Sequence, residues 1–176
     1  RPVVEMQSVA RRMAEGDFSV KAPVRSPDEI GSLGRALNVM AARLKEKIQD
    51  LKREQATTTA ILDSMVEGVV AVDAHDRVLL LNQGIRTIFR LGPRLGEGKP
   101  FLEVVRNADL FDLIKACRDA GREMISRELH LTTPVERVLQ VHALPLRLGG
   151  EGSGVLMVLH DVTEIRRLER VRTEFV

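Results

Sequence analysis

The sequence has no tryptophan and no tyrosine, and aromatic residues make up only 3% of the chain. This scarcity argues against stacking platforms for bases or sugars. An excess of one charge is also missing, because 27 Lys and Arg face 25 Asp and Glu for a net charge of +2. Bulk charge therefore favours no nucleic-acid partner. The single cysteine, Cys117, excludes an internal disulfide framework and fits a reducing compartment.

No apolar run approaches the roughly 18 residues of a membrane span, and no signal-peptide pattern is present. The chain begins with "RPVVEM" and ends with "VRTEFV", both within helical patterns. We therefore expect it to be a part of a longer protein. Its 44% hydrophobic and 30% charged residues are typical of ordered, globular structure.

The first 66 residues show helical periodicity and no strand pattern. Val3, Met6, Ala10 and Met13 follow one another at spacings of three and four, which is typical of a coiled-coil seam. We expect this helix to end at "EGD", where Gly16 is the breaker. The loop "FSVKAPVRSP" is long enough for a second helix to lie parallel to the first.

The second helix is predicted to begin at "SPDEIG". Ser26 is a suitable N-cap, and Pro27 suits the first helical position. Asp28 and Glu29 suit the positive end of the helix dipole. The pattern indicates a helix that continues to Met65.

A narrow apolar seam runs along this second helix. Its first members are Ile30, Leu33, Leu37, Met40 and Leu44. Ile48 adds a second spacing of four in succession, a stutter that locally unwinds a left-handed supercoil. Two helices with such narrow seams do not make a stable core alone, so we predict a parallel four-helix bundle formed by two copies of the chain. The alternative is that the seam packs on the second half of the same chain.

From residue 67 the periodicity changes to that of strands. "GVVAVDAHDRVLLLN" predicts a hairpin, "QGIRTIFRLG" predicts a short helix, and "PFLEVVRNADLFDLIKACRDAG" predicts one or two more helices. Three further strands are predicted in "REMISRELHL", "ERVLQVHALPLRL" and "GSGVLMVLHDV", and "TEIRRLERVRTEFV" returns to helix. The order ββααβββ predicts an α+β domain with an antiparallel five-stranded sheet and flanking helices.

No constellation of residues indicates catalysis or metal binding. His75 lies in a polar turn, and His130, His142 and His160 alternate with apolar residues, as in strands whose histidines face outward. None of the four has a partner at metal-ligand spacing. Cys117 has helical spacing from Leu113 and Ile114, which predicts a small core residue. We therefore predict no enzymatic activity in this part of the chain, no metal and no catalytic residues.

Together these features resemble known signalling domains. Residues 1 to about 48 resemble a HAMP domain, because Pro2 opens the first helix and Asp28, Glu29 and Gly31 match the D-E-x-G signature. Residues 57 to 165 resemble a PAS domain in the "GVVAVD" strand, in Asn82 after the second strand and in the "HDVTE" end of the last strand. The closing "RRLERVRTEFV" is similar to the run that leads into the dimerisation helix of sensor histidine kinases.

The resemblance implies a domain order and a location. We expect a HAMP domain at 1–48, a coiled-coil linker at 49–66, a PAS domain at 67–164 and the start of an output helix at 165–176. It implies the cytoplasmic signal-transfer region of a dimeric sensor histidine kinase of the phosphate-regulon or cell-wall type. Such a protein lies in the bacterial inner membrane, is anchored by a preceding transmembrane helix and addresses a response regulator through its kinase region.

The resemblance also implies roles for single residues. In HAMP domains the glutamate, here Glu29, ties the second helix to the first, and Gly31 allows close approach of the connector. The PAS junction at Asp161, Thr163 and Glu164 passes strain from the sheet to the outgoing helix. The expected signal-transfer residues are Pro2, Gly16, Asp28, Glu29, Gly31, Asn82, Asp161, Thr163 and Glu164.

A ligand pocket in the PAS domain is the open question. The candidates for its lining are nearly all aliphatic: Val70, Val72, Leu80, Phe89, Leu102, Leu113, Leu129, Val141 and Met157. A filled core fits this set as well as a ligand site does. No flavin-type cysteine motif and no helical haem histidine is present, so we expect no cofactor. Two alternative functions remain: a PAS small-molecule receptor with the HAMP domain as a passive dimeriser, and control of another output such as a cyclase.

Overall fold

The computed structural model describes residues 2–121, 123–147, 149 and 152–175. The chain divides into two compact units, the first ending at Thr58 and the second beginning at Thr59. Within the described residues, no helix combines the length and hydropathy that a membrane span requires.

The first unit contains two helices, and the second of them continues into the second unit. They are α1 (Pro2–Ala14) and α2 (Glu29–Ser64). The predicted lengths are confirmed, because α1 ends just before Gly16 and α2 runs without interruption through the stutter. The predicted cap of α2 is wrong. The helix begins at Glu29, and the carboxylate of Asp28 accepts the hydrogen bond from the Gly31 N–H, so Asp28 rather than Ser26 is the N-cap.

The second unit contains five strands and four further helices among the described residues. They are β1 (Gly68–Val72), β2 (Val78–Leu81), α3 (Gln83–Phe89), α4 (Phe101–Val104), α5 (Ala108–Ala120), β3 (Ile125–Leu131), β4 (Arg137–Arg147), β5 (Ser153–Asp161) and α6 (Thr163–Glu174). Three helices separate the hairpin from β3, because the segment for which one or two helices were predicted contains both the single-turn α4 and the longer α5.

The five strands form one antiparallel sheet in the order β2-β1-β5-β4-β3. The last strand therefore lies at the centre, next to the first. Val70 pairs with Met157, which pairs in turn with Ala143, and this row of side chains faces the helices. The three strand histidines lie on the opposite face, as predicted. Each is directly next to an inward-facing residue of its strand, and successive side chains of a strand point to opposite faces.

The core of the second unit lies between the inner face of the sheet and helices α3 to α5. Its fully buried members include Phe101, Leu110 and Leu113. Cys117 belongs to the same core, and burial raises the pKa of its thiol. The prediction that Cys117 is a core residue is confirmed.

Candidate functional site

The end of α1 is closed by a glycine cap. Gly16 has a φ of +94°, and the N–H groups of Gly16 and Asp17 donate to the carbonyls of Met13 and Arg12, at 3.0 and 2.9 Å. Two backbone hydrogen bonds of this kind, around a glycine with positive φ, are typical of a helix C-terminus. Hydrogen bonds from Ser19 and from Arg12 lower the pKa of Asp17, so its carboxylate stays charged at neutral pH.

The connector between the helices is fastened to α2 by Asn38. Its side-chain oxygen accepts from the Ala22 N–H at 2.7 Å, and its amide nitrogen donates to the Ala22 carbonyl at 3.0 Å. One side chain thus replaces a strand partner for Ala22, which is buried. The sequence reasoning missed this pair, although an asparagine beside a narrow apolar seam was a signal that could have suggested it.

The D-E-x-G segment lies at the start of α2. Hydrogen bonds from the Ser26 hydroxyl and the Gly31 N–H lower the pKa of the capping Asp28. At Gly31 a Cβ would lie 1.7 Å from the Ser26 carbonyl oxygen, so only glycine fits there. Glu29 is exposed. Among the described residues no hydrogen bond or ion pair joins Glu29 to α1, and Glu5 and Arg25 instead form an exposed pair at 3.4 Å between α1 and the connector.

Asn82 is the one buried polar residue in the described part of the chain, and it joins three elements. Its oxygen accepts from the Val69 N–H at 2.8 Å and from the Ile85 N–H at 3.1 Å. Its amide nitrogen donates to the carbonyls of Leu62 and Glu67, at 2.8 and 2.9 Å. Both hydrogens and both lone-pair directions of the amide are used.

The last turn of α2 is therefore held on the sheet of the second unit. A second bond adds to this, because the Gln83 N–H donates to the Asp63 carboxylate at 3.0 Å. These contacts explain why the second unit begins at Thr59, whereas the linker was predicted to extend to residue 66. Gly84 allows the close packing, since a Cβ there would lie 2.2 Å from the Glu67 carbonyl oxygen.

Asp161 and Thr163 form a second polar cluster, where β5 ends and α6 begins. The Asp161 carboxylate accepts from the Arg137 guanidinium, from the Thr163 hydroxyl and from the Thr163 N–H. The Thr163 oxygen also accepts from the Val138 N–H at 3.0 Å. Burial acts to raise the pKa of Asp161, but the bonds from Thr163 and Arg137 outweigh it and the pKa is lowered. Glu164 is exposed and pairs only with Arg167 of the same helix among the described residues.

A third contact fixes the direction of α6. The Arg166 guanidinium donates from Nε and Nη2 to one carboxylate oxygen of Glu128 on β3, at 2.9 and 2.7 Å. It also donates to Glu169 at 2.6 Å, and these carboxylates raise the pKa of Arg166. No sequence motif pointed to Arg166, because its partner is an edge-strand residue 38 positions away.

The candidate pocket residues mostly form a continuous core. Seven of them are buried together: Val70, Val72, Phe89, Leu113, Leu129, Val141 and Met157. Leu80 points to the other face of the sheet and is half-buried. Leu102 is 42% exposed, because α4 turns its neighbour Phe101 inward instead. Neither residue lines the interior, and no group of metal-binding side chains occurs within the described ranges.

Two family models match the chain, HAMP domain over residues 1–46 and PAS fold over residues 62–167. The chain belongs to the PAS-fold family. The HAMP–PAS region also resembles known sensor proteins along its whole length. It is 30% identical to the alginate biosynthesis sensor protein KinB of Pseudomonas aeruginosa, over 99% of this chain and 30% of that protein. It is 25% identical to the sensor protein SrrB of Staphylococcus aureus, over 100% of this chain and 28% of that protein. The chain thus spans less than a third of these curated relatives.

Solved structures agree on the fold. The PAS domain from Bordetella pertussis BvgS superposes with a TM-score of 0.53 at 19% identity, covering 70% of this chain and 96% of that one. The E. coli DhaR(N)–DhaL complex gives a TM-score of 0.54 at 18% identity, covering 73% of this chain and 42% of the matched chain. At these identities the likeness concerns the fold alone.

Proposed function

We propose that this HAMP–PAS region relays conformational change from a membrane segment to a C-terminal histidine kinase in a dimeric sensor protein. The parent protein would lie in the bacterial inner membrane with this region in the cytoplasm, and its kinase would phosphorylate a response regulator. The similarity to KinB and SrrB along the whole chain supports this assignment.

One observation carries the proposal: incoming and outgoing helices are attached to neighbouring strands of one sheet. Asn82 binds the last turn of α2 and also the first residues of β1. β1 pairs with β5 from Gly68–Leu159 to Val72–Val155, and β5 ends at Asp161, where α6 begins. Glu67 and His160 lie 3.3 Å apart between the same two ends.

This arrangement allows a mechanical relay. A rotation or shift of α2 would pull on Asn82 and hence on β1, and the hydrogen-bonded ladder would carry the displacement to Asp161. A packed sheet deforms as a unit, so displacement at one strand end reaches its neighbour. Both helix attachments are polar side-chain bonds, which can rearrange between alternative partners at modest cost.

The test uses Asn82→Asp in the full-length protein. The carboxylate oxygens keep the acceptor role toward Val69 and Ile85, but the donors to Leu62 and Glu67 are lost. The matched control is Asn107→Asp, because Asn107 caps α5 through its oxygen, at 2.9 Å from the Leu110 nitrogen, and its amide nitrogen donates to no residue in the described part of the chain. We expect Asn82→Asp to detach α2 from the sheet and Asn107→Asp to leave the domain unaltered.

The readout is autophosphorylation, measured with and without Glu29→Ala in the HAMP signature. We expect Glu29→Ala to change the autophosphorylation rate severalfold in the native and Asn107→Asp backgrounds and to have no effect with Asn82→Asp. Circular dichroism at the assay temperature establishes that the variants are folded. An equal Glu29→Ala effect in all three backgrounds would contradict the relay, and absence of autophosphorylation in the native protein would contradict the kinase assignment.

A further inference from the structure

A cavity of about 360 Å³ borders the PAS core, and its lining includes none of the residues that attach α2 and α6 to the sheet. It is bounded by the end of α3 and the following loop, by the α4–α5 junction and by the β3–β4 turn with Thr133 and Pro134. Of the nine pocket candidates from the sequence, only Phe89 lines it. It is therefore distinct from the filled interior beneath the sheet.

The floor of the cavity is apolar. Phe89, Val104 and Val105 are buried there, and Leu91 and Leu95 are partly buried against the same core. The floor is also held in place, because the Arg86 guanidinium donates to the carbonyls of Gly92 and Leu95, at 2.9 and 2.8 Å. The loop that carries the two leucines is thus fixed without a ligand.

The rim of the cavity is cationic. Arg90 and Arg106 line it from two different segments, the end of α3 and the turn before α5. Both are exposed, and within the described ranges neither side chain forms an ion pair or hydrogen bond. Asn107 also lines the cavity, but its oxygen is occupied by the Leu110 N–H. The free charge at the rim is therefore positive.

We propose that this cavity binds a small aliphatic carboxylate, with its hydrocarbon chain on the floor and its carboxylate between Arg90 and Arg106. Guanidinium groups match the planar geometry of a carboxylate. A compact inorganic anion would leave the apolar floor uncovered, and a neutral hydrocarbon would leave the arginines without a counter-charge. The cavity volume is at the small end of the range for ligand pockets. Binding here does not depend on the relay proposed above.

The experiment is calorimetric titration of the 176-residue chain at pH 7 in physiological salt, with butanoate, hexanoate and octanoate as probes. We expect one site per chain and an affinity that rises about fourfold for each added methylene until the floor is covered. 1-Hexanol and sulfate serve as comparison ligands. 1-Hexanol lacks the carboxylate and sulfate lacks the hydrocarbon chain, so each should bind at least about tenfold more weakly than hexanoate.

Charge-removing variants locate the site. Arg90→Gln and Arg106→Gln are exposed changes that leave the fold intact, and each should weaken hexanoate binding about fivefold. Arg94→Gln is the control, because Arg94 lies on the same loop but does not line the cavity. Hexanoate binding that is absent at millimolar concentration, unaffected by Arg90→Gln and Arg106→Gln, or matched by 1-hexanol or sulfate would overturn the proposal.

Discussion

Single side chains in this protein close gaps that regular secondary structure leaves open. Asn82 and Asn38 each supply a donor and an acceptor to backbone groups that have no strand or helix partner. Buried backbone groups need such partners, because an unpaired one loses its hydrogen bond to water without replacement. Two glycines allow close packing of the backbone, since Gly31 and Gly84 lie where a Cβ would overlap a carbonyl group.

Replacing Gly84 by alanine should destabilise the PAS unit. A Cβ would lie 2.2 Å from the Glu67 carbonyl oxygen, which is backbone and cannot turn aside. We expect a loss of about 2 kcal/mol or more in the free energy of unfolding, measured by urea denaturation. Gly92→Ala is the control, because a Cβ there meets nothing within 4 Å. Equal midpoints for the two variants would contradict the packing at Gly84.

The lowered pKa of Asp161 makes part of the stability depend on pH. A carboxyl group with a lowered pKa in the folded state stabilises the fold above its unfolded pKa, and that contribution is lost as pH falls through the folded pKa. We therefore expect Asp161→Asn to be clearly destabilising at pH 7 and much less so near pH 3, in urea denaturation at both values. Asp112→Asn is the control, because the Asp112 carboxylate is exposed and lies 3.6 Å from the Lys115 ammonium group. An equal cost of Asp161→Asn at both pH values would contradict the bonding described.

At the scale of elements, the side-chain bonds that join α6 to the sheet within the described residues all come from its first turn. The Asp161–Thr163 cluster fixes its start, and Arg166 binds Glu128 on the edge strand. Beyond these, Leu168 and Phe175 are 69% and 87% exposed. The direction of the outgoing helix therefore depends on a few polar contacts near its N-terminus.

Arg166→Gln should loosen α6 without unfolding the domain. The pair with Glu128 is exposed to solvent, so its loss should leave the global stability of the domain nearly unchanged. Hydrogen exchange of α6 amides should accelerate about two- to fivefold. Arg167→Gln is the matched control, because Arg167 pairs with Glu164 inside the same helix and, among the described residues, forms no ion pair with the sheet. Equal exchange in both variants would show that the Glu128 contact does not hold α6.

At the scale of the whole molecule, the two helices of the first unit do not cover their own apolar seam. Leu33, Met40 and Leu44 are 49%, 57% and 44% exposed, whereas the buried residues of α2 are Gly31, Gly34 and Ala41. The small residues face the connector and α1, where Gly34 lies against Met6. The large apolar seam residues are therefore available to a second copy, as the coiled-coil spacing predicts.

Met40→Lys should abolish dimerisation. A lysine in the seam of a four-helix bundle would place two charges in an apolar interface, which costs several kcal/mol. We expect the native chain to be a dimer at micromolar concentration and the variant a monomer, by light scattering. Val39→Lys is the control, because Val39 is 53% exposed but lies outside the seam. A native monomer, or equal behaviour of the two variants, would contradict the dimeric bundle.

Periodicity in the sequence determined most of the architecture. The seam of α2, the five strands and the core position of Cys117 follow from spacings of three, four and two residues, because burial of one face requires them. The D-E-x-G and D-V-T-E segments also lie at helix starts, as their capping chemistry predicts. Local patterns could not show that Asp28 rather than Ser26 caps α2, since both residues suit that role.

Only the tertiary structure decided which distant residues meet. Asn82 reaches Leu62 and Arg166 reaches Glu128 across 20 and 38 positions, and no local pattern contains such separations. It also placed the aliphatic pocket candidates in a filled core and put Leu102 at the surface, because a one-turn helix can present either neighbour inward. Spacing along the chain sets which face of an element is apolar, whereas partners and cavities depend on how the faces pack together.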